Sequence, residues 1–477
     1  MPNMTILFAA SEVAPLASTG GLGDVIASLP RFITKLGHDV VVALPGYPSL
    51  LKGAEPVGVR FSIPLGEEVH DVAIFERHGP DGTQWLLVQN DAFFGREGLY
   101  GDSEGAYPDN AARFILFSKA VVELACRLQP SPEVLHLHDW HTALVPMIIR
   151  DKQLPLKTVL TLHNVQHQGS FWAFDFALTN LSHGWFREDG LEFFGQMNLL
   201  KGGMLSADAL TTPSNTYRQN ILTTNEGYGL QAVLQSRQHD LFSIPNGVDP
   251  DRWNPADPTD IPAPFSATDL DGKLFCRNAL LAEAGLAPQP TGPVYAMLGR
   301  LADQKGFDLL LPLLPRLLAA DARLIIIGDG EPSFRRDLFA AVRQHPTKMA
   351  FCNRWEPEFS KDLLAGADIL LSPSHYEPCG LTPLHALRYG TIPLAHATGG
   401  LVEQLTDYDP STRQGNSLLY FPDSSSALWD TIERARGLFA DKNHWHSLVT
   451  NALHTSFPWE NAAAYYHALY QRMTADA

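Results

Sequence analysis

Short apolar runs bounded by turn residues recur along the chain and alternate with longer stretches of helical period, a pattern that predicts parallel strands joined by crossover helices. In the first half the runs are Thr5 to Ala10, Val40 to Leu44, Trp85 to Val88, Val134 to Leu137, Thr158 to Leu162 and Leu210 to Thr212. The rhythm starts afresh with Val294 to Leu298, Leu324 to Ile327, Ile369 to Leu371 and Ile392 to Ala395. Two doubly wound α/β sheets account for this better than one. Between them, Pro245-Asn-Gly-Val-Asp-Pro-Asp-Arg-Trp253 opens a stretch rich in Pro and Asp, with the composition of a surface linker. The expected domains are therefore residues 1–245 and 246–458. A last segment, 459–477, puts Ala462, Tyr465, Tyr466, Leu469 and Tyr470 on one helical face, so it should dock on a lobe.

Composition narrows the partners. With 477 residues, 45% of them hydrophobic and 18% charged, the chain can build large cores. A net charge of −17 provides no broad basic field for nucleic acid or anionic lipid, but allows a neutral polymer or a small anion met by a few converging Lys and Arg. Cys126, Cys276, Cys352 and Cys379 are scattered, without the spacing of a disulfide framework or a zinc ribbon. No basic leader precedes Thr5, and no apolar run reaches the ~20 residues of a membrane span, so a cytoplasmic location is expected.

In open α/β sheets ligands bind beyond the carboxyl ends of the strands, which directs attention to the loops after the apolar runs. The first, Ser11-Glu-Val-Ala-Pro-Leu-Ala-Ser-Thr-Gly-Gly-Leu-Gly-Asp24, has glycines at 20, 21 and 23 that would let the backbone approach a ligand at a helix start; a tight turn alone would also need them. Val134-Leu-His-Leu-His-Asp-Trp-His141 and Leu162-His-Asn-Val-Gln-His167 crowd histidines at two strand ends. The HxxxH lacks the Glu of a zinc protease motif, and alternation sends His136 and His138 to one face, so packed, hydrogen-bonded rings are expected rather than a metal. In the second half Arg300 ends a strand and Lys305 follows where a helix begins, two cations suited to a diphosphate leaving group. Gly328-Asp-Gly-Glu331 is a further strand-end turn. In Ser372-Pro-Ser-His-Tyr-Glu-Pro-Cys-Gly-Leu-Thr382 a carboxylate, Glu377, precedes small residues whose amides open a helix.

In this order, STGGLGDV, HDWH, the following HN and EPCGLT resemble the bacterial glycogen and starch synthase family from about residue 5 to residue 470. The resemblance implies the glycosyltransferase B-type fold, with two Rossmann-like domains facing a cleft, the first on the glucan side, the second on the nucleotide-sugar side, and the last helix packing back on the first. It implies a metal-independent, retaining transfer of glucose from ADP-glucose, a substrate and not a cofactor, to the non-reducing 4-hydroxyl of an α-1,4-glucan. By the same resemblance Asp139, His163, Arg300, Lys305 and Glu377 carry catalysis; Ser18, Gly20, Gly21, Asn246, Gly328, Cys379, Gly380, Leu381 and Thr382 line the donor. Gln166, His167 and Gly169 extend the wall around the transferred glucose. Two positions depart from the pattern. Ser18 stands where the family has Lys, which keeps open a transferase with another nucleotide sugar or a small acceptor, or a catalytically weak glucan-binding homologue. His385 stands where many related transferases have a second Glu, so no carboxylate grip on the ribose is expected there.

Overall fold

The computed structural model describes residues 3–102, 105–353 and 357–475. The chain forms two compact units, Met1–Pro245 with Trp459–Ala477, and Asn246–Pro458.

Among the described residues, the first unit is built on a nine-stranded sheet in the order Leu241–Ser243, Ala209–Thr212, Lys157–Thr161, Val134–His138, Thr5–Ala9, Asp39–Pro45, Gln84–Gln89, Glu68–His78, Glu55–Leu65. The first seven run parallel and the last two are antiparallel. Thr5–Ala9 and Val134–His138 are buried at every position, as strands covered on both faces must be. The edge hairpin reads differently: Phe61, Ile63 and Leu65 point inward while Arg60, Ser62 and Pro64 face solvent, the alternation of a sheet covered on one side. The strand order reverses between Thr5–Ala9 and Val134–His138. The glycine-rich loop and the HDWH segment thus leave adjacent strand ends at a topological switch point.

The last helix, Trp459–Ala475, belongs to this first unit and packs on the helix Gly21–Thr34. Ala462, Tyr466, Leu469 and Tyr470 are buried, as the helical face predicts. Tyr465 is not: at 62% exposure it lies off the stripe, and its flexible amphipathic ring needs no cover. Tyr470 places its hydroxyl 2.7 Å from His136 Nδ1, and His136 Nε2 lies 2.7 Å from Thr161 Oγ1. Both ring nitrogens of a fully buried histidine are thereby satisfied.

The second unit is a six-stranded, wholly parallel sheet in the order Met349–Cys352, Arg323–Ile327, Val294–Leu298, Ile369–Ser372, Ile392–His396, Leu418–Tyr420. Its switch point falls between Val294–Leu298 and Ile369–Ser372, the strands that precede Arg300 and Glu377. The Pro- and Asp-rich stretch after Pro245 is not the surface linker that its composition suggests. Asn246, Val248, Asp249, Trp253, Ile261 and Phe265 are all buried, because a few apolar anchors among the turn residues suffice to seat it on the second unit. Lys273, also buried, donates to the carbonyls of Ala365, Ala367 and Tyr389 and to Thr391 Oγ1, which compensates the buried cation.

No helix among the described residues is long and apolar enough to cross a membrane. Replacing Tyr470→Phe leaves His136 Nδ1 buried without its partner, so the first unit should lose about 1–3 kcal/mol. Chemical denaturation followed by tryptophan fluorescence measures this; an unchanged midpoint would show that the hydroxyl does not anchor the helix.

Candidate active site

At the first switch point the glycine-rich loop is fastened by its own polar groups. Val13 and Ala17 exchange two backbone hydrogen bonds, and Ala14 N donates to Gly23 O. Glu12, buried in the loop three residues after the first strand, accepts from Thr19 N at 2.7 Å, from Thr19 Oγ1 at 2.8 Å and from the Tyr100 hydroxyl at 2.7 Å. Ser18 donates to Gly20 O at 3.1 Å and lies against Gly23, where any Cβ would fall 2.3 Å from its Oγ. Its hydroxyl is thus engaged within the loop. Gly20 opens on free space, whereas Gly23 is the glycine that the close approach requires. Glu12 and Tyr100 escape sequence reasoning; the signal for Glu12 is a carboxylate three residues after the end of a fully buried strand.

Next to this loop, Asp139 sits at φ 55°, a left-handed conformation that a non-glycine residue adopts only when its surroundings enforce it. Its Oδ1 accepts from His163 N at 2.8 Å, and its own N donates to Thr161 O. Desolvation pushes the Asp139 carboxyl up to about 7 against the pull of the His163 and Asn164 amides, with the charge of Glu12 adding to the rise. His163 is the outermost ring of a stack: His138 Nδ1 lies 3.0 Å from His163 Nε2, and the His136 and His138 ring centroids are 4.4 Å apart. Desolvation holds His163 down to about 4, and the two inner rings far below their usual value. These are neutral, packed imidazoles, and no group of three or more His, Cys, Asp or Glu among the described residues is placed to hold a metal ion. Beyond them Trp140, Gln166, His167, Gly169 and Phe171 line a surface hollow. Gly169, at φ 60° with the Trp140 ring 2.5 Å from any added Cβ, admits no other residue without displacement.

At the second switch point Lys305 Nζ meets Glu377 Oε2 at 2.6 Å, and Ser374 Oγ donates to the same oxygen at 3.1 Å. Gly306 makes the meeting possible: at φ 71°, its missing Cβ would lie 1.9 Å from Pro373 O. Arg300 is exposed just beyond the strand end. Gly328 brings its Cα against Gly299 O, at a distance of 2.0 Å for any Cβ, which closes the neighbouring turn. Gly380, at φ 88°, turns the chain into the helix Leu381–Arg388, whose first residues are Leu381 and Thr382. Cys379 accepts weak hydrogen bonds from Asn246 and Gln404, and burial pushes its thiol up to about 11, so it stays protonated and is no nucleophile. His385 stacks on Trp253 with centroids 3.8 Å apart, and burial keeps it neutral. The ring holds the segment after Pro245 in place.

Ser18, Gly20, Gly21, Asp139 and His163 are thus grouped in the first unit; Asn246, Arg300, Lys305, Gly328, Glu377, Cys379, Gly380, Leu381 and Thr382 are grouped in the second. The two perturbed groups of the first cluster act on stability with opposite signs. Asp139, raised from 3.8 to about 7, contributes fully below its unfolded value and loses that contribution as the pH climbs to 7; His163, lowered from 6.5 to about 4, contributes above 6.5 and loses it as the pH falls to 4. Asp139→Asn keeps an acceptor for His163 N and removes the buried charge. Its melting temperature should exceed that of the wild type above about pH 7, with the gap closing as the pH falls from about 7 to about 4. A gap independent of pH would refute the raised carboxyl.

Two family models match the chain, the starch synthase catalytic domain over residues 5–236 and glycosyl transferases group 1 over residues 283–452. Glycogen synthase 2 of Geobacter sulfurreducens is 38% identical, with 99% of each chain covered. Glycogen synthase of Myxococcus xanthus is 40% identical over 99% of this chain and 100% of its own. The catalytic domain of starch synthase IV from Arabidopsis thaliana, solved with ADP and acarbose, matches with a TM-score of 0.93 at 28% identity, covering 99% of this chain and 100% of that one. A sucrose-phosphate synthase from Thermosynechococcus elongatus, at TM-score 0.64 and 17% identity over the full length of both chains, shares the fold, two Rossmann-like units of the glycosyltransferase B type. Identity at this level along the whole length shows that the chain belongs to the glycogen synthase family of glycosyltransferases.

Proposed function

We propose that the protein lengthens α-1,4-glucan, transferring glucose from ADP-glucose to the non-reducing 4-hydroxyl with retention at the anomeric carbon. The observation that carries this reading is the Lys305–Glu377 contact at a strand-end switch point: a cation for a departing phosphate and a carboxylate for sugar hydroxyls, already side by side, with Arg300 exposed just after the strand that leads to Lys305. The Arabidopsis structure with ADP and acarbose supports it, since ADP is what such a donor leaves behind.

In the reaction the bond from the anomeric carbon to the phosphate oxygen breaks, and the bond to the acceptor O4 forms. The acceptor proton passes to the departing phosphate oxygen on the same face. Arg300 and Lys305 stabilise the negative charge that grows on that oxygen. Glu377, relieved of part of its pairing when Lys305 turns to phosphate, accepts from glucose hydroxyls, while the amides of Gly380, Leu381 and Thr382 receive the donor at a helix start. Asp139 and His163 organise the glucosyl group, His163 as a neutral ring able to donate without adding charge. ADP-glucose enters as a substrate, and no cofactor is assigned. The described cysteines are free thiols, which fits the reducing cytoplasm where we place the reaction.

The deciding assay offers ADP-, UDP- and GDP-glucose to the purified protein with glycogen or maltooligosaccharides. A product ladder with ADP-glucose is expected. A single disaccharide would identify a transferase to a small acceptor, and glycogen binding without transfer from any donor would overturn the enzymatic reading. Lys305→Ala should lower kcat by roughly 10²–10³ while glycogen binding stays close to that of the wild type; near-normal turnover would remove Lys305 from the phosphate site.

A further inference from the structure

Two residues before Glu377, the imidazole of His375 stands between two carboxylates. Its Nδ1 is 2.6 Å from Asp423 Oδ2, and its Nε2 is 2.9 Å from Asp308 Oδ1. An ionised carboxylate only accepts, and a neutral imidazole has one N–H. Both contacts are hydrogen bonds only when the ring carries two protons; a neutral ring would aim a lone pair at one carboxylate.

The three residues sit on three separate elements of the second unit. Asp308 lies on the short helix Phe307–Leu310, which begins two residues after Lys305. His375 is in the loop that leaves the strand Ile369–Ser372 and carries Glu377. Asp423 follows the strand Leu418–Tyr420 and precedes the helix Ser425–Ala440, whose Ser425 Oγ donates to Leu309 O at 3.1 Å. Backbone contacts run beside the clasp: His375 N donates to Gln304 O at 3.0 Å, and Gln304 Nε2 donates to Tyr376 O at 3.3 Å. The cross-link thus joins the Lys305 turn to the Glu377 loop and anchors both on the element that follows the last strand.

The surroundings of the ring are charged mainly by these partners. His396 approaches from the end of the strand Ile392–His396, with Nδ1 3.9 Å from Asp423 Oδ1 and 3.0 Å from Ser374 O. The Tyr420 phenol, raised by desolvation and then by Asp423 and Asp308, stays neutral. Lys305 and Glu377, carried by the two segments that the clasp joins, pair with each other.

We propose that His375 is a positioning residue of the donor site, a doubly donating imidazolium that keeps the Lys305 turn and the Glu377 loop in register, so that nucleotide binding weakens when its second proton is lost. This rests on the reading of the Lys305–Glu377 cluster as the site of a nucleoside diphosphate. Desolvation lowers the proton affinity of the ring, but the hydrogen bonds and charges of Asp423 and Asp308 outweigh it and raise the value above 6.5, so the transition lies on the alkaline side.

The test compares wild type, His375→Arg, which keeps a permanent cation with several donors, and His375→Gln, which cannot donate in two opposite directions. ADP binding by calorimetry at about pH 6 and about pH 8.5 is the first readout; the nucleotide's own phosphate ionisation is common to all three proteins and cancels in their ratios. At the lower pH, wild type and H375R should bind alike and H375Q roughly three- to tenfold more weakly. At the higher pH, wild type should fall toward H375Q while H375R keeps its advantage. Equal affinities for wild type and H375Q at both values, or wild type and H375R moving together, would overturn the proposal. Should none of the proteins bind ADP, the donor-site reading itself fails, and melting temperatures still decide on the clasp. A group whose pKa is raised by folding stabilises below its unfolded value and ceases to do so above its folded value, so the wild type should out-melt H375Q at about pH 6 and not at about pH 9. A gap that ignores pH would dispose of the clasp as well.

Discussion

Two loops that leave different strands can meet at Lys305 and Glu377 only because the backbone at Gly306 passes against the carbonyl of Pro373, at a distance that excludes any side chain. A methyl group there would have to push one loop off the other, and the left-handed φ of Gly306 adds to the restriction. From this approach follow the 2.6 Å ion pair, the Ser374 contact to the same carboxylate and the Gln304 bridge between the loops. A half-buried ion pair contributes little net stability by itself, since desolvation offsets attraction. Its value here is geometric: before any ligand arrives, the cation and the carboxylate are held where a phosphate and a sugar could exchange partners with them.

The first unit handles polar burial in the opposite manner. Its strand ends hold rings and an acid that burial drives toward neutrality, His136, His138 and His163 losing protons and Asp139 retaining one. Neutral groups can be stacked at 4.4 Å without the repulsion that imidazolium ions would suffer, and their hydrogen bonds rather than their charges fix direction. One unit therefore offers preformed charge, and the other offers oriented dipoles.

How far the sequence announces this varies with the physics involved. Runs such as Val294 to Leu298 and Val134 to Leu137 are legible as parallel strands because burial on both faces demands uninterrupted apolar residues. The edge hairpin Glu55–Leu65 and Glu68–His78 is not, since half of its positions face water and Pro56 and Pro64 mask it. Composition misleads after Pro245, where buried Trp253 and Phe265 outweigh the prolines and aspartates around them. Within the candidate site, Lys305 and Glu377 are visible as a cation and an acid on separate motifs, but their contact is not, because it depends on register between two strands. The same holds for His375, whose neighbours Asp308 and Asp423 are distant in sequence, and for Glu12, whose partners come from its own loop and from Tyr100.

The helix Trp459–Ala475 lends Tyr466 and Tyr470 to the wall behind His136, yet the whole second unit is synthesised before it. Through most of synthesis the first unit exists without that wall, with a histidine nitrogen and an apolar face of the helix Gly21–Thr34 uncovered, while the entire second unit is being made. Folding of the first unit can therefore be completed only after the whole second unit has been made, and a chain cut short before that helix would expose the surface that the folded unit hides.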